Sequence, residues 1–338
     1  MVVGRGNLVV CIRNHPLGDV RNRPDHHAIQ ESKEFEMKFP PYPAPGDKVA
    51  MISPAGIVRR EVVERGAELL RQQGFMVRIG RHAFDEDGVF AGCDAARAAD
   101  MQDALDDPAI KAVFFNRGGY GCLRTHLQLD WSHFLKHPKW LVGFSDITVF
   151  HAYLSRQGIA SIHGLMASWF ENDGTPTDGF LRMMGVLGGN FPEYALPPHE
   201  LNRAGTATGI LTGGNLSVLQ SLRGTPLDIV PEGRILFIED IGEYRYHLDR
   251  MMQNLKAGGI LERISGLIVG YFTGMKDGGT PFARTSYQII SEVAAPYRYP
   301  VVFGFPAGHE QPNQPLLMGG TVTLDVSPNA ALVGNSRS

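Results

Sequence analysis

Cysteine, long apolar runs and a surplus of either charge are all scarce in this sequence. The 338 residues hold three cysteines, Cys11, Cys93 and Cys122. Their odd number and wide spacing argue against a disulfide framework and point to a reducing compartment. No apolar run approaches the roughly 18 residues that span a bilayer, so membrane insertion is not expected. The formal net charge is −3 with Lys and Arg scattered. A nucleic-acid partner is therefore not expected, since neutralising phosphates takes a clear cationic excess. There is no H-E-x-x-H and no Cys/His cluster, which leaves a metal site without support. Neither G-x-x-x-x-G-K-[ST] nor G-x-G-x-x-G occurs.

The composition that remains, 43% hydrophobic and 20% charged, is that of an ordinary globular chain. A length of 338 residues suggests two domains, because single cores stop growing near about 250–300 residues. Residues 1–44 read as an extension outside the fold, expected to be mobile. The opening apolar patch is interrupted by Arg5 and Asn7, too short for a signal peptide's core of about 7–15 residues. From Arg13 to Lys38 the chain is polar and aperiodic, as mobile segments are.

Periodic structure begins at "GDKVAMISPAG". Short apolar strands then alternate with helical segments. Val63, Ala67 and Leu70 recur at i, i+4, i+7 before Gly74, and Ala98, Met101 and Leu105 share one face of a helix that Asp94 is expected to cap. "IKAVFFN" and "WLVGFSD" are apolar on both faces. This pattern predicts a parallel sheet covered on both sides, with ligands carried by loops at the carboxyl ends of its strands. "SPAG", "NRGGYG" and "GFSD" all fall at such ends. The expected organisation is an α/β domain over 45–170, a Pro- and Gly-rich linker over 171–207 and a smaller C-terminal α/β domain over 208–330, with a terminal strand pair around Gly319-Gly320.

Ser145 stands where an apolar strand turns into a helix. That position suits a cap, since Ser145 or Asp146 could cap the helix beginning at Ile147. It also suits a nucleophile, since a sharp strand-to-helix turn exposes the hydroxyl and aims N–H groups beside it. "RGGYG" offers backbone N–H groups without bulky side chains, or a plain glycine turn. "ILFIEDIGE" closes an apolar strand with Glu239 and Asp240, and "FGFPAGHEQPNQPL" sets His309 in a Gly/Pro loop. Asp240 could instead cap the next helix with Glu239 solvated, and His309 could be merely exposed. His126, His133, His137, His151 and His247 read as helix-face residues.

Taken in order, "ISPAG" (Ile52–Gly56), "RGGYG" (Arg117–Gly121), "GFSD" (Gly143–Asp146), "GGNL" (Gly213–Leu216), "GTP" (Gly224–Pro226), "IED" (Ile238–Asp240), "AGGIL" (Ala257–Leu261) and "GHEQ" (Gly308–Gln311) resemble the LD-carboxypeptidases of the serine peptidase type. The microcin-self-immunity peptidases are cousins of that family. The resemblance runs over about residues 45–328. It implies a flavodoxin-like N-terminal domain bearing the nucleophile, a smaller C-terminal domain bearing an acid and a histidine, and a site at their interface. It maps the catalytic triad to Ser145, Glu239 and His309. The N–H groups of Asp146 and of Gly118 or Gly119 are expected to form the oxyanion hole, and Arg117 is a candidate for the substrate's terminal carboxylate. The implied reaction is hydrolysis, without metal or organic cofactor, of the bond between an L-configured diamino acid centre and terminal D-Ala in murein tetrapeptides. The implied setting is cytoplasmic peptidoglycan recycling by a homodimer. Cleavage of peptidyl-aminoacyl adenylates, kept open by Trp169, and non-catalytic peptide binding are the alternatives.

Overall fold

The computed structural model describes residues 37–335. Residues 1–36, with Cys11 and most of the expected extension, lie outside the described residues. The strands in chain order are β1 (Lys48–Ile52), β2 (Met76–Ile79), β3 (Ile110–Phe115), β4 (Trp140–Gly143), β5 (Ser161–His163), β6 (Glu171–Asn172), β7 (Thr175–Pro176), β8 (Tyr194–Leu196), β9 (Gly205–Asn215), β10 (Ile235–Ile241), β11 (Gly266–Thr273), β12 (Val301–Phe303), β13 (Leu316–Met318), β14 (Thr321–Val326) and β15 (Ala331–Asn335). They form a six-stranded sheet of order β13-β5-β4-β3-β1-β2, a seven-stranded sheet of order β12-β11-β10-β9-β14-β15-β8 and the small β6–β7 pair.

β1 to β5 are parallel, in the flavodoxin-like order 2-1-3-4-5. The pleat sends alternate residues to opposite faces. Val49 and Met51 join one core with Val63, Ala67 and Leu70 of the helix Arg60–Gln72. Ala50 and Ile52 join the other with Met101 and Leu105 of the helix Asp94–Asp106. Strand order reverses between β1 and β3, so a crevice opens at their carboxyl ends, where "SPAG" and "RGGYG" sit. Asp94 begins its helix rather than capping it: Cys93 holds the cap position and no side chain caps there. The Asp94 carboxylate pairs with Arg97 and Arg124 instead.

The second sheet runs parallel from β9 through β12 and antiparallel through β14, β15 and β8. The strands expected as a pair around Gly319-Gly320 do not pair with each other. β13 adds antiparallel to β5 in the first sheet, with Leu316 opposite His163, while β14 pairs with β9.

Two segments depart from the sequence reading. Residues 37–44 are packed rather than mobile. Lys38 exchanges hydrogen bonds with Gly158 and Ala160, the Trp140 indole N–H donates to the Pro41 carbonyl at 3.1 Å, and Tyr42 stacks on Trp140 at 5.6 Å. A buried indole needs an acceptor, and this segment supplies it. Residues 171–207, expected as a linker, contain the helix Asp178–Leu187, whose Phe180, Met183, Val186 and Leu187 complete the first core, and β8 at the edge of the second sheet.

The two sheets meet through the helix Thr148–Arg156. Thr148 Oγ1 accepts the Asn215 N–H at 2.9 Å, and Arg234 donates to Ser155 Oγ at 2.6 Å. Gly214 permits this approach. Its φ is +136°, and a Cβ there would lie 2.5 Å from Thr148 Oγ1. Gly214→Ala is therefore expected to destabilise the chain by about 2–4 kcal/mol, through strain and overpacking. A urea titration checks this, and an unchanged midpoint would contradict it.

Candidate active site

β4 delivers the chain to a turn that carries unusual backbone. Phe144 is extended (φ −146°, ψ −171°), and Ser145 sits at φ +64°. That left-handed conformation costs a residue with a Cβ about 1–2 kcal/mol. A capping serine would be extended and accept an N–H two or three residues on. Neither Ser145 nor Asp146 caps the helix that follows, so the cap alternative at Ile147 is corrected. Asp146 does cap a helix, but a different one. Its carboxylate accepts the N–H of Cys122, first residue of the helix Cys122–His126, at 2.7 Å. Burial pushes the Asp146 pKa up and the amide bonds from Cys122 and Gly121 oppose this. Burial, then Asp146, pushes the Cys122 thiol well up, which keeps it protonated and unreactive.

His151 pins the carbonyl at the end of β4. Its Nε2–H donates to Gly143 O at 2.8 Å, and its Nδ1 accepts from Ser161 Oγ at 2.8 Å. Burial lowers its pKa to about 4, so the ring stays neutral and the tautomer is set by these partners.

"RGGYG" folds over the same turn. A Cβ on Gly118 would fall 3.0 Å from Ser145 Cβ, 3.1 Å from its Oγ and 3.2 Å from the Asp146 nitrogen. Only glycine leaves that space open. The Gly118 carbonyl is held by the Gly56 N–H at 2.9 Å, while the N–H groups of Gly118, Gly119 and Asp146 donate to no acceptor among the described residues. Gly119 has φ +97° and lies over Gly56. Arg117 is exposed, and its guanidinium donates to the Ile57 carbonyl at 2.6 Å. That carbonyl anchors it.

The second sheet and the loop after β12 contribute Glu239 and His309. Glu239 ends the apolar part of β10 with no exposed surface. His309 lies on the loop between β12 and β13, and its Nδ1–H donates to Glu239 Oε2 at 2.8 Å. That bond leaves Nε2 as the basic nitrogen. Burial lowers the His309 pKa, but the Glu239 hydrogen bond and the charges of Glu239 and Asp240 outweigh it, leaving a value above the ordinary 6.5. The Phe144 ring packs on the His309 ring at 4.9 Å, which brings the Ser145 turn and the His309 loop into contact. Among the described residues no group of three or more His, Cys, Asp or Glu could hold a metal ion, and no helix is long and apolar enough to cross a membrane.

Two family models, an LD-carboxypeptidase N-terminal domain and an LD-carboxypeptidase C-terminal domain, match residues 49–164 and 208–324. The chain belongs to the LD-carboxypeptidase family. A probable murein peptide carboxypeptidase of Bacillus subtilis is 31% identical over 293 residues, covering 85% of this chain and 92% of the relative. The murein tetrapeptide carboxypeptidase of Pseudomonas aeruginosa is 30% identical over 291 residues, covering 82% and 93%. The crystal structure of muramoyltetrapeptide carboxypeptidase from Oxalobacter formigenes superimposes with a TM-score of 0.78 at 28% identity, covering 86% of this chain and 99% of that one. The wild-type microcin C7 self-immunity protein reaches the same TM-score at 21% identity, over 89% and 98%, a likeness of fold alone. As a member of the LD-carboxypeptidase family, the chain is a serine-type peptidase.

Further residues hold this carboxypeptidase's site together, and of these only Asp240 stood out in the sequence. Asp240 Oδ1 accepts from Asn215 Nδ2 at 3.0 Å and from the Ile241 N–H at 2.9 Å, and its Oδ2 accepts the Ser217 N–H at 3.0 Å. It therefore ties β10 to β9. Burial, then the Glu239 charge, pushes its pKa up to about 7 against those bonds. Asn313 is fully buried and accepts the Gly308 N–H at 3.0 Å, which fixes the loop beside His309. His163 is fully buried between Phe144 and Phe237, and burial holds its pKa well below the ordinary value. Single buried polar groups at strand ends and in loops leave no periodic trace. The i, i+4, i+7 test cannot find them.

Asp146→Ala strands the buried Cys122 N–H and is expected to cost about 1–3 kcal/mol. Equilibrium unfolding in urea measures it, and a loss below a few tenths would show that this cap contributes nothing.

Proposed function

We propose that this LD-carboxypeptidase hydrolyses murein tetrapeptides, cutting between an L-configured diamino acid centre and terminal D-Ala, with Ser145 as nucleophile, His309 as base and Glu239 as the residue that orients it. The observation that carries the reading is the 2.8 Å bond from His309 Nδ1 to the buried Glu239, on a loop whose His309 ring packs on Phe144, the neighbour of a serine at φ +64°. A serine hydroxyl needs a base, and the base needs an orienter. The names of the Bacillus, Pseudomonas and Oxalobacter relatives support the substrate.

In this mechanism His309 Nε2 takes the proton as Ser145 Oγ attacks the scissile carbonyl. The oxyanion is met by the Asp146 N–H and by that of Gly118 or Gly119. The intermediate collapses by breaking the C–N bond, and His309 returns its proton to the leaving D-Ala amine. A water, deprotonated by His309, then attacks the acyl carbon and releases Ser145. Arg117 is assigned to the terminal carboxylate of the peptide, where a guanidinium can bind in a bidentate manner. The family resemblance also supports a cytoplasmic homodimer as the working form.

The adenylate alternative rested on Trp169. That ring is half-buried and meets Phe144 edge-on at 5.6 Å, packed beside the turn rather than on an elaborated loop over it. Non-catalytic peptide binding would not require the serine, acid and histidine together.

Ser145→Ala is expected to abolish D-Ala release while tetrapeptide binding persists in calorimetry. Full activity in that variant would remove Ser145 from the mechanism. The acid limb of kcat/KM reports the neutral His309 of the free enzyme. Its raised pKa places that limb above pH 6.5. Glu239→Gln removes the leading causes of the rise and leaves burial, so the limb should move to lower pH while the rate falls by about 10⁴-fold. A variant within tenfold of wild type, with its limb unmoved, would contradict the orienting role.

A further inference from the structure

A cavity of ≈ 540 Å³ opens beside the His309 loop, between the end of β11 and the start of the helix Ser286–Ala294. Its size falls within the range of small-ligand sites. It shares a wall with the triad. Glu310, the residue after His309, lines it, and so does Tyr271, whose N–H donates to the Ala307 carbonyl at 2.9 Å. A Cβ on Gly308 would lie 3.0 Å from Glu239 Oε2 and 3.4 Å from Tyr271 Cβ. One glycine therefore separates the acid of the site from the cavity.

The wall carries two ionisable charges, Arg245 and Glu310. Arg245 is answered by Asp277 at 2.9 Å. Glu310 is exposed and has no cationic partner among the described residues, only a long bond of 3.4 Å from Thr273 Oγ1. The uncompensated charge of the cavity is thus negative. Two tyrosines complete it. Tyr287 donates its hydroxyl to the Gly270 carbonyl at 3.1 Å, and burial, with Tyr271 and Glu310 nearby, pushes its pKa up to about 12. Both rings stay neutral, and the cavity combines aromatic faces with one carboxylate. That is the chemistry of an ammonium receptor.

We propose that this cavity binds the free side-chain ammonium of the residue on the acyl side of the scissile bond, with Glu310 as the specificity-determining anion. The inference rests on the carboxypeptidase reading above, which places a diamino residue next to the reacting carbonyl. It adds that the amine must be charged. A peptide whose side-chain amine is acylated has lost that charge and is selected against.

Three tetrapeptides test this, identical except for lysine, norleucine or Nε-acetyl-lysine before the terminal D-Ala. Norleucine removes the ammonium without adding bulk. The wild-type enzyme is expected to favour the lysine peptide over both others by about tenfold or more in kcat/KM, expressed mainly in KM. Glu310→Gln should lower kcat/KM for the lysine peptide by about tenfold and bring the three peptides together. Equal wild-type turnover of lysine and norleucine peptides overturns the proposal, as does a Glu310→Gln variant that keeps the wild-type preference. If none of the peptides releases D-Ala, the carboxypeptidase reading itself fails and takes this inference with it. Equal release from all three sinks the ammonium site alone.

Discussion

A carboxylate with no access to water has to be answered by a donor, and in this chain Glu239 is answered by His309. One oxygen accepts the imidazole N–H, and the other has no partner among the described residues. Leaving such a charge wholly unpaired would cost several kcal/mol, so the His309 loop is constrained to one place. The surrounding residues meet that constraint. Gly308 has no side chain, which lets the loop pass against Glu239. Asn313 holds the Gly308 N–H from within the core, and Phe144 covers the imidazole ring from the other half of the molecule.

The same constraint reaches the serine through a short physical path. Glu239 stands opposite Asn215 in the β9–β10 register. The Asn215 N–H donates to Thr148 Oγ1, and Thr148 opens the helix that follows the Ser145 turn. One hydrogen bond thus joins β9, the neighbour of the strand that carries Glu239, to the helix that follows the Ser145 turn. The glycines of "GGNL" fit this role, since a side chain at Gly214 would push the two apart.

Much of this was legible in the residues, and the rest was hidden for physical reasons. The inner strands β3 and β4 announced themselves as apolar runs because both faces are covered. Ser145, Glu239 and His309 were visible as odd residues at the ends of such strands, but their meaning was not. The left-handed turn at Ser145 falls on a residue with a Cβ, where local propensity gives no sign of it. Asp146 was one of two cap candidates for its own helix, and the amide it serves belongs to Cys122, a partner that only the tertiary fold brings close. The helix Asp178–Leu187 was within reach. Phe180, Met183 and Leu187 follow helical spacing, but Pro and Gly on either side drew the segment into a linker. His151 read as a helix-face residue, whereas its ring braces the strand end beneath the turn.

The placement of β13 bears on how the chain comes to be folded at all. The first sheet is built mainly from the early part of the sequence, yet its last strand is Leu316–Met318, paired with β5. During synthesis the β5 edge must wait, with its backbone groups unpaired, until Leu316–Met318, far later in the chain, has left the ribosome. An open apolar edge of that kind invites pairing with other chains, and contacts so distant in sequence form slowly. The early half is thus a dependent partner in folding. The segment that closes its edge follows directly on the His309 loop, so sheet closure and delivery of His309 to Glu239 are one event.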